Sequence, residues 1–175
     1  LGMLLLLRDH AGGDSSHVKI VNCNADVKKI LTISNFEQLF TIQWWEVSVL
    51  RLLIAEDNPS DRIILANLIK RLGHDVIQAT DGQQAVELFV EHRPDILLLD
   101  VLMPNKNGIQ AAREIRQIAG EDLVPIIFLT SLNEASDLAE CLEAGGDDFL
   151  TKPYNPTVIK AKILAFSRMR RLHTE

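Results

Sequence analysis

Residues 94–108 read PDILLLDVLMPNKNG, and the fold turns on how residues 96–99 and Asp100 are taken. Four consecutive large apolar residues, bounded by Pro94 and by the turn-forming residues 104–108, suit a strand buried on both faces. Such strands lie at the centre of a parallel sheet, with helices on each side. Asp100 then stands at the carboxyl end of a central strand, the edge at which open α/β sheets build their sites. From this stretch alone, capping of the next helix accounts for Asp100 equally well.

Around this stretch, short apolar runs alternate with amphipathic helices from about residue 49 to residue 172. Residues 50–55 form an apolar strand interrupted only by Arg51. Pro59 suits the first turn of the next helix, with Asn58 as its cap. Ile63, Ile64, Ala66, Leu68, Ile69 and Leu72 give that helix its expected buried side, and Gly73 ends it. Strands follow at 74–79, 95–100, 125–130 and 147–152, and helices at 81–92, 107–119, 133–144 and 156 to about 172. Five strands alternating with five helices imply a parallel sheet with right-handed crossovers and helices on both faces. The unit, residues 49–175, is one domain of about 125 residues.

Composition narrows the function classes. The 175 residues are 47% hydrophobic and 24% charged, as in ordinary globular proteins, and a net charge of -6 offers no broad basic surface for nucleic acid or an anionic membrane. Cys23 and Cys141 stand far apart, form no metal-ligand pair, and fit a reduced cytoplasmic protein in which each is a small apolar residue. The apolar run at residues 3–7 is too short to span a bilayer and lacks a basic leader or a cleavage site. The opening Leu1 suggests an upstream start or a fragment.

Residues 1–48 read as helix, strand, helix, strand: a buried helix at 1–10, a break at 11–16, a strand within 17–23, and a helix capped by Asn24 or Asp26 that runs to about Phe40. VKIVNCNADVKKILTISNFEQLF, residues 18–40, resembles the carboxyl-terminal half of a STAS domain, the fold of anti-sigma-factor antagonists. The preceding LGMLLLL resembles the helix after that family's phosphorylatable serine loop, which implies a partial α/β segment whose early strands lie upstream. Trp44 and Trp45 suit packing at a junction better than stacking on nucleic acid, since no basic residues are interleaved with them.

Each strand of the second unit ends in a residue with chemistry. Glu56 and Asp57 follow the first, Asp100 the third, Thr130 the fourth and Lys152 the fifth, and parallel strands bring all of these ends to one edge. Three acids held together need raised pKa values or a bound cation. An oxygen-only donor set without His or Cys favours a hard ion, with Mg²⁺ ahead of Ca²⁺ because the acids form no EF-hand loop. A structural salt bridge from Lys152 competes with this reading, but it would use one acid and leave the others and Thr130 without a role.

LLIAEDN, LLLDVLMPNKNG, IIFLTS and FLTKP, in that order, resemble the receiver domain of bacterial two-component response regulators over residues 50–172. The resemblance implies a flavodoxin-like strand order of 2-1-3-4-5. Asp100 matches the phosphoacceptor, Asp57 a direct Mg²⁺ ligand, Glu56 an acid holding the metal's water, and the Leu102 carbonyl a backbone ligand. Thr130 matches the switch hydroxyl, Lys152 the lysine before Pro153, and Phe149 the switch aromatic, although a static core role competes at Phe149. Leu102 and Leu132 occupy variable positions flanking the site, where apolar residues are expected to slow hydrolysis of the phosphoryl group.

The function so implied is a cytoplasmic phosphoacceptor, not a metabolic enzyme. It would take a phosphoryl group from a histidine kinase or phosphotransfer protein and switch an unidentified output partner or domain, with dimerisation left open. A phosphorylation-independent binding module is the alternative, and the intact acids, Thr130 and Lys152 argue against it. A flavin-binding protein of the same topology is disfavoured, because EDNPSDR is acidic where a phosphate loop needs backbone donors.

Overall fold

The computed structural model describes residues 19–23, 30, 32–33, 41–44, 49–131 and 135–174. The chain divides into two compact units, residues 1–48 and 49–175. In the first, strands β1 (Lys19–Cys23) and β2 (Thr41–Trp44) pair in parallel, Lys19 opposite Thr41 and Ile20 opposite Ile42. Ile30, Thr32 and Ile33 are helical. The strand and helix expected between residues 17 and 40 are thus seen wherever residues are described. The helix expected at 1–10, the burial of Cys23 and the packing of the Trp44 and Trp45 side chains lie outside the described residues.

The second unit runs β3 (Arg51–Ala55), α1 (Pro59–Arg71), β4 (Asp75–Ala79), α2 (Gly82–His92), β5 (Ile96–Asp100), α3 (Gly108–Ala119), β6 (Ile126–Thr130), α4 (Ala135–Glu143), β7 (Asp148–Thr151) and α5 (Pro156–Thr174). Its sheet has the order β4-β3-β5-β6-β7 with every pair parallel, the expected 2-1-3-4-5. Residues 96–100 and 126–130 are buried without exception.

The continuous apolar runs follow from strand pleating, which sends successive side chains to opposite faces. Leu53, Leu97, Leu99 and Phe128 join a core with Phe89 of α2, Ile115 of α3 and Cys141 of α4. Leu52, Ile54, Leu98 and Leu129 enter a second core with Leu65 and Ile69 of α1 and with Ile159 and Ile163 of α5. Each layer excludes water from one face of the sheet, so the interior positions of the central strands β3, β5 and β6 are apolar and charge appears only at strand ends.

One expected face is corrected. Ile63 and Ile64 of α1 are 56% and 52% exposed, whereas Leu65, Ala66 and Ile69 are buried. At ~3.6 residues per turn, Leu65, Ile69 and Leu72 line up with Ala66 on one stripe, and Ile63 and Ile64 fall to either side of it.

Helix starts follow their caps. The Asn58 side chain accepts from the Ser60 and Asp61 backbone N–H groups at the head of α1, and Asp81 accepts from Gln84 at the head of α2. Asn107 and Gln110 form a reciprocal capping box on α3. The helix begins after Asp100 has already ended its strand, and Asn107 does the capping, so capping by Asp100 is set aside.

Candidate functional site

Glu56 directly follows β3, its backbone N–H donating to the Ala79 carbonyl at 3.2 Å. Arg62, one turn into α1, reaches back and donates to the Glu56 carbonyl at 2.6 Å and to the Asp57 carbonyl at 3.2 Å, tying the acidic loop to the helix. At the end of β5, the Val101 N–H donates to the Leu129 carbonyl, and the Gly108 N–H donates to the Val101 carbonyl, closing the loop. That loop is braced from α2: the Asn105 amide donates to Asp81 at 2.9 Å, and the Gly82 N–H donates to the Lys106 carbonyl at 2.9 Å. The Lys152 N–H donates to the Thr130 carbonyl at 3.0 Å, which aligns the lysine just past the end of β7, and the Lys152–Pro153 peptide is cis.

These strand ends wall an open cleft of about 250 Å³, lined by Glu56, Asp57, Asp61, Asp100, Leu102, Thr130 and Lys152 among others. Carboxylate oxygens of Glu56, Asp57 and Asp100 all lie within 4.8 Å of one another. The Lys152 ammonium donates to Asp100 Oδ2 at 2.7 Å, lies 2.7 Å from Glu56 Oε2, and stands 3.7 Å from Asp61 Oδ2. The lysine therefore engages two acids closely and a third at its edge, which corrects the expectation that a salt bridge here would use one acid. Even so, one ammonium shares the cleft with four carboxylates, and the excess of hard oxygen donors fits a small divalent cation.

Burial shapes the charges. Glu56 is fully buried and Asp100 and Thr130 nearly so. Burial, then the neighbouring Asp100 charge, pushes the Glu56 carboxyl above the usual carboxylate range against the pull of Lys152. Burial would lower Lys152, but its hydrogen bonds to Asp100 and Glu56 outweigh this and hold it above the ordinary lysine value. Asp100 Oδ1 accepts from the Leu102 N–H at 3.2 Å, which anchors the carboxylate in the wall of the cleft.

All of Glu56, Asp57, Asp100, Leu102, Thr130 and Lys152 come together as the strand ends require. Leu102 is exposed, and Leu132 lies outside the described residues. Phe149 is half-buried against the core of the α2 and α3 face, with the Lys162 ammonium 5.9 Å from its ring centre. Three participants escaped the sequence reading: Asp61, Arg62 and Tyr154, whose hydroxyl donates to Glu56 Oε2 at 3.0 Å. Burial, then the Glu56 charge, pushes the Tyr154 phenol up, so it remains a donor.

The chain matches the response regulator receiver domain family over residues 52–164. It is 38% identical, over 118 residues, to a probable transcriptional regulator, ycf27, of Guillardia theta, covering 67% of this chain and 45% of that protein. It is 35% identical to the alkaline phosphatase synthesis transcriptional regulatory protein PhoP of Bacillus subtilis, covering 67% of this chain and 48% of the relative. The chain thus spans about half the length of the curated relatives it matches. Among solved structures, the receiver domain of sensor histidine kinase PA1611 of Pseudomonas aeruginosa, with a magnesium ion in its active-site cleft, is 32% identical; the match covers 69% of this chain and 98% of that one with a TM-score of 0.64.

Proposed function

The chain belongs to the response regulator receiver family of two-component signalling, and from that premise we propose that Asp100 accepts a phosphoryl group with Mg²⁺ held by Asp57, Asp100 and the Leu102 carbonyl, and through water by Glu56. The observation that carries the reading is the Lys152 ammonium standing 2.7 Å from both Glu56 and Asp100, two members of a cluster of three carboxylates. When bound, Mg²⁺ would offset charge on the phosphoryl oxygens and on the acids.

An ionised Asp100 carboxylate needs no general base. Its oxygen forms the bond to phosphorus as the P–N bond of a phosphohistidine, or the P–O bond of an acyl phosphate, breaks. Lys152, already on Asp100, is placed to pair with the incoming phosphoryl oxygens. Thr130, at the end of β6 and in register with Thr151, would donate its hydroxyl to the phosphoryl group, with Phe149 following into the space it leaves. Water then attacks the mixed anhydride, so the chain catalyses its own phosphorylation and dephosphorylation and converts no metabolite.

A histidine kinase or phosphotransfer protein is the implied donor, in the cytoplasm. No helix among the described residues is long and apolar enough to cross a membrane. For residues 1–48 we propose a partial STAS-like segment, supported by the parallel β1–β2 pair on either side of helical residues.

Incubation with acetyl phosphate and Mg²⁺, followed by intact-mass analysis, tests the assignment. One phosphoryl group is expected on the wild type and none on Asp100→Asn. Uptake by Asp100→Asn would refute it, and no uptake by either would favour a binding module.

A further inference from the structure

We infer that Tyr154 is a positioning residue that holds the Glu56 carboxylate in its cation-facing orientation, an inference resting on the reading of the acid cluster as a divalent-cation site. Glu56 is fully buried, so each of its oxygens depends on donors within the protein. Oε2 receives the Lys152 ammonium at 2.7 Å and the Tyr154 hydroxyl at 3.0 Å, and Oε1 receives the Asn58 backbone N–H at 3.2 Å.

The two sides of Glu56 differ. Asn58 and Lys152 line the acidic cleft with the three clustered acids. Tyr154 does not line the cleft and instead packs against the core layer that contains Leu52 and Ile159. Tyr154 is thus the one of the three donors to Glu56 that does not itself line the cleft, and its hydroxyl shares Oε2 with the Lys152 ammonium.

Lys152 cannot serve as a fixed anchor for Glu56, because it also bonds Asp100 and stands within 3.7 Å of Asp61. Charge arriving on Asp100 draws the ammonium toward that acid, and its hold on Glu56 is the one that weakens. The Tyr154 hydroxyl keeps Oε2 in place whichever acid Lys152 is serving. A glutamate needs such a hold more than an aspartate would, since its extra methylene adds a torsion that must be frozen.

The test is a double-mutant cycle in the intact chain. Mg²⁺ dissociation constants are measured by calorimetric titration for the wild type, Tyr154→Phe, Glu56→Ala and the double variant. Tyr154→Phe is expected to weaken Mg²⁺ binding about fivefold, the equivalent of ~1 kcal/mol for one hydrogen bond. In the Glu56→Ala background the same change should do almost nothing, because no carboxylate remains to be held. Equal weakening in both backgrounds would make the role merely structural, and unchanged affinity in Tyr154→Phe would overturn the inference. A wild type that binds no Mg²⁺ would instead remove the cation reading beneath it. Tyr154 is the only tyrosine of the chain, so a 3-fluorotyrosine-labelled wild type gives a single fluorine resonance. That resonance must shift as Mg²⁺ saturates and stay fixed in Glu56→Ala; a shift unaffected by Glu56→Ala would also overturn the proposal, without requiring any variant at residue 154 to fold.

Discussion

At the scale of single residues, Gly108 sets how close α3 can come to the acid-bearing strand. A Cβ built there lies 2.0 Å from the Asp100 carbonyl oxygen and 2.8 Å from its carbon, both backbone atoms that cannot rotate away. Gly108→Ala must push the start of α3 off β5, with an expected loss of about 2–3 kcal/mol in urea unfolding. A loss under ~0.5 kcal/mol would show that the loop yields freely.

His74 acts differently, through a proton. Burial holds its imidazole below the usual histidine value against the charges of Asp75 and Asp95, and its Nδ1 accepts from the Leu50 N–H at 3.3 Å, which requires the neutral ring. The unfolded chain binds a proton at this site below about pH 6.5 while the folded chain resists it. This contribution is therefore fully present above pH 6.5 and lost as pH falls from there toward the folded pKa. The stability gap between wild type and His74→Gln, measured by urea unfolding, should be wider at pH 7.5 than at pH 5.5. A constant gap would mean that His74 does not titrate on unfolding.

At the scale of elements, helix α1 separates what its residue pattern reveals from what it hides. Ile63→Ala and Ile64→Ala, at exposed positions, should each change stability by no more than ~0.5 kcal/mol, whereas Leu65→Ala should cost about 2–5 kcal/mol. Equal costs at all three would contradict the packing. The six apolar candidates on this helix spread beyond a single stripe and leave out Leu65, which is fully buried, because only the sheet beneath decides which side chains it meets. Strands β3, β5 and β6 posed no such choice, because an unbroken apolar run is buried on both faces whatever its register. The site divides along the same line. Glu56, Asp57, Asp100, Thr130 and Lys152 were legible because each terminates a recognisable strand and parallel topology gathers the ends. Tyr154 was not, since its partner Glu56 lies 98 positions away and nothing local marks a half-buried tyrosine after Lys152 and Pro153 as a carboxylate donor. Arg62 was hidden for another reason: a guanidinium on the first turns of a helix reads as a solvated charge until the loop it clamps is seen.

At the scale of the molecule, the sheet places two buried central strands beneath a cluster of three acids. Two apolar layers fix β3 and β5, and their ends hold Glu56, Asp57 and Asp100 together at a separation the acids would not choose in water. Only the folded state brings Asp100 to the adjacent pair Glu56 and Asp57; in the unfolded chain Asp100 is separated from that pair and all three acids are solvated. A cation that binds only the folded cluster must therefore stabilise the whole unit by mass action. At 100 times its dissociation constant, Mg²⁺ should add ~2.7 kcal/mol. For a unit of this size that amounts to roughly 10 °C in the thermal midpoint, and it should be reversed by EDTA. Asp57→Ala should lose most of the response while leaving both apolar layers intact, since Asp57 is exposed and contributes to neither core. If Asp57→Ala kept the full Mg²⁺-dependent rise, the ion would be acting elsewhere on the acidic surface, and the strand-end acids would be stabilised by Lys152 alone.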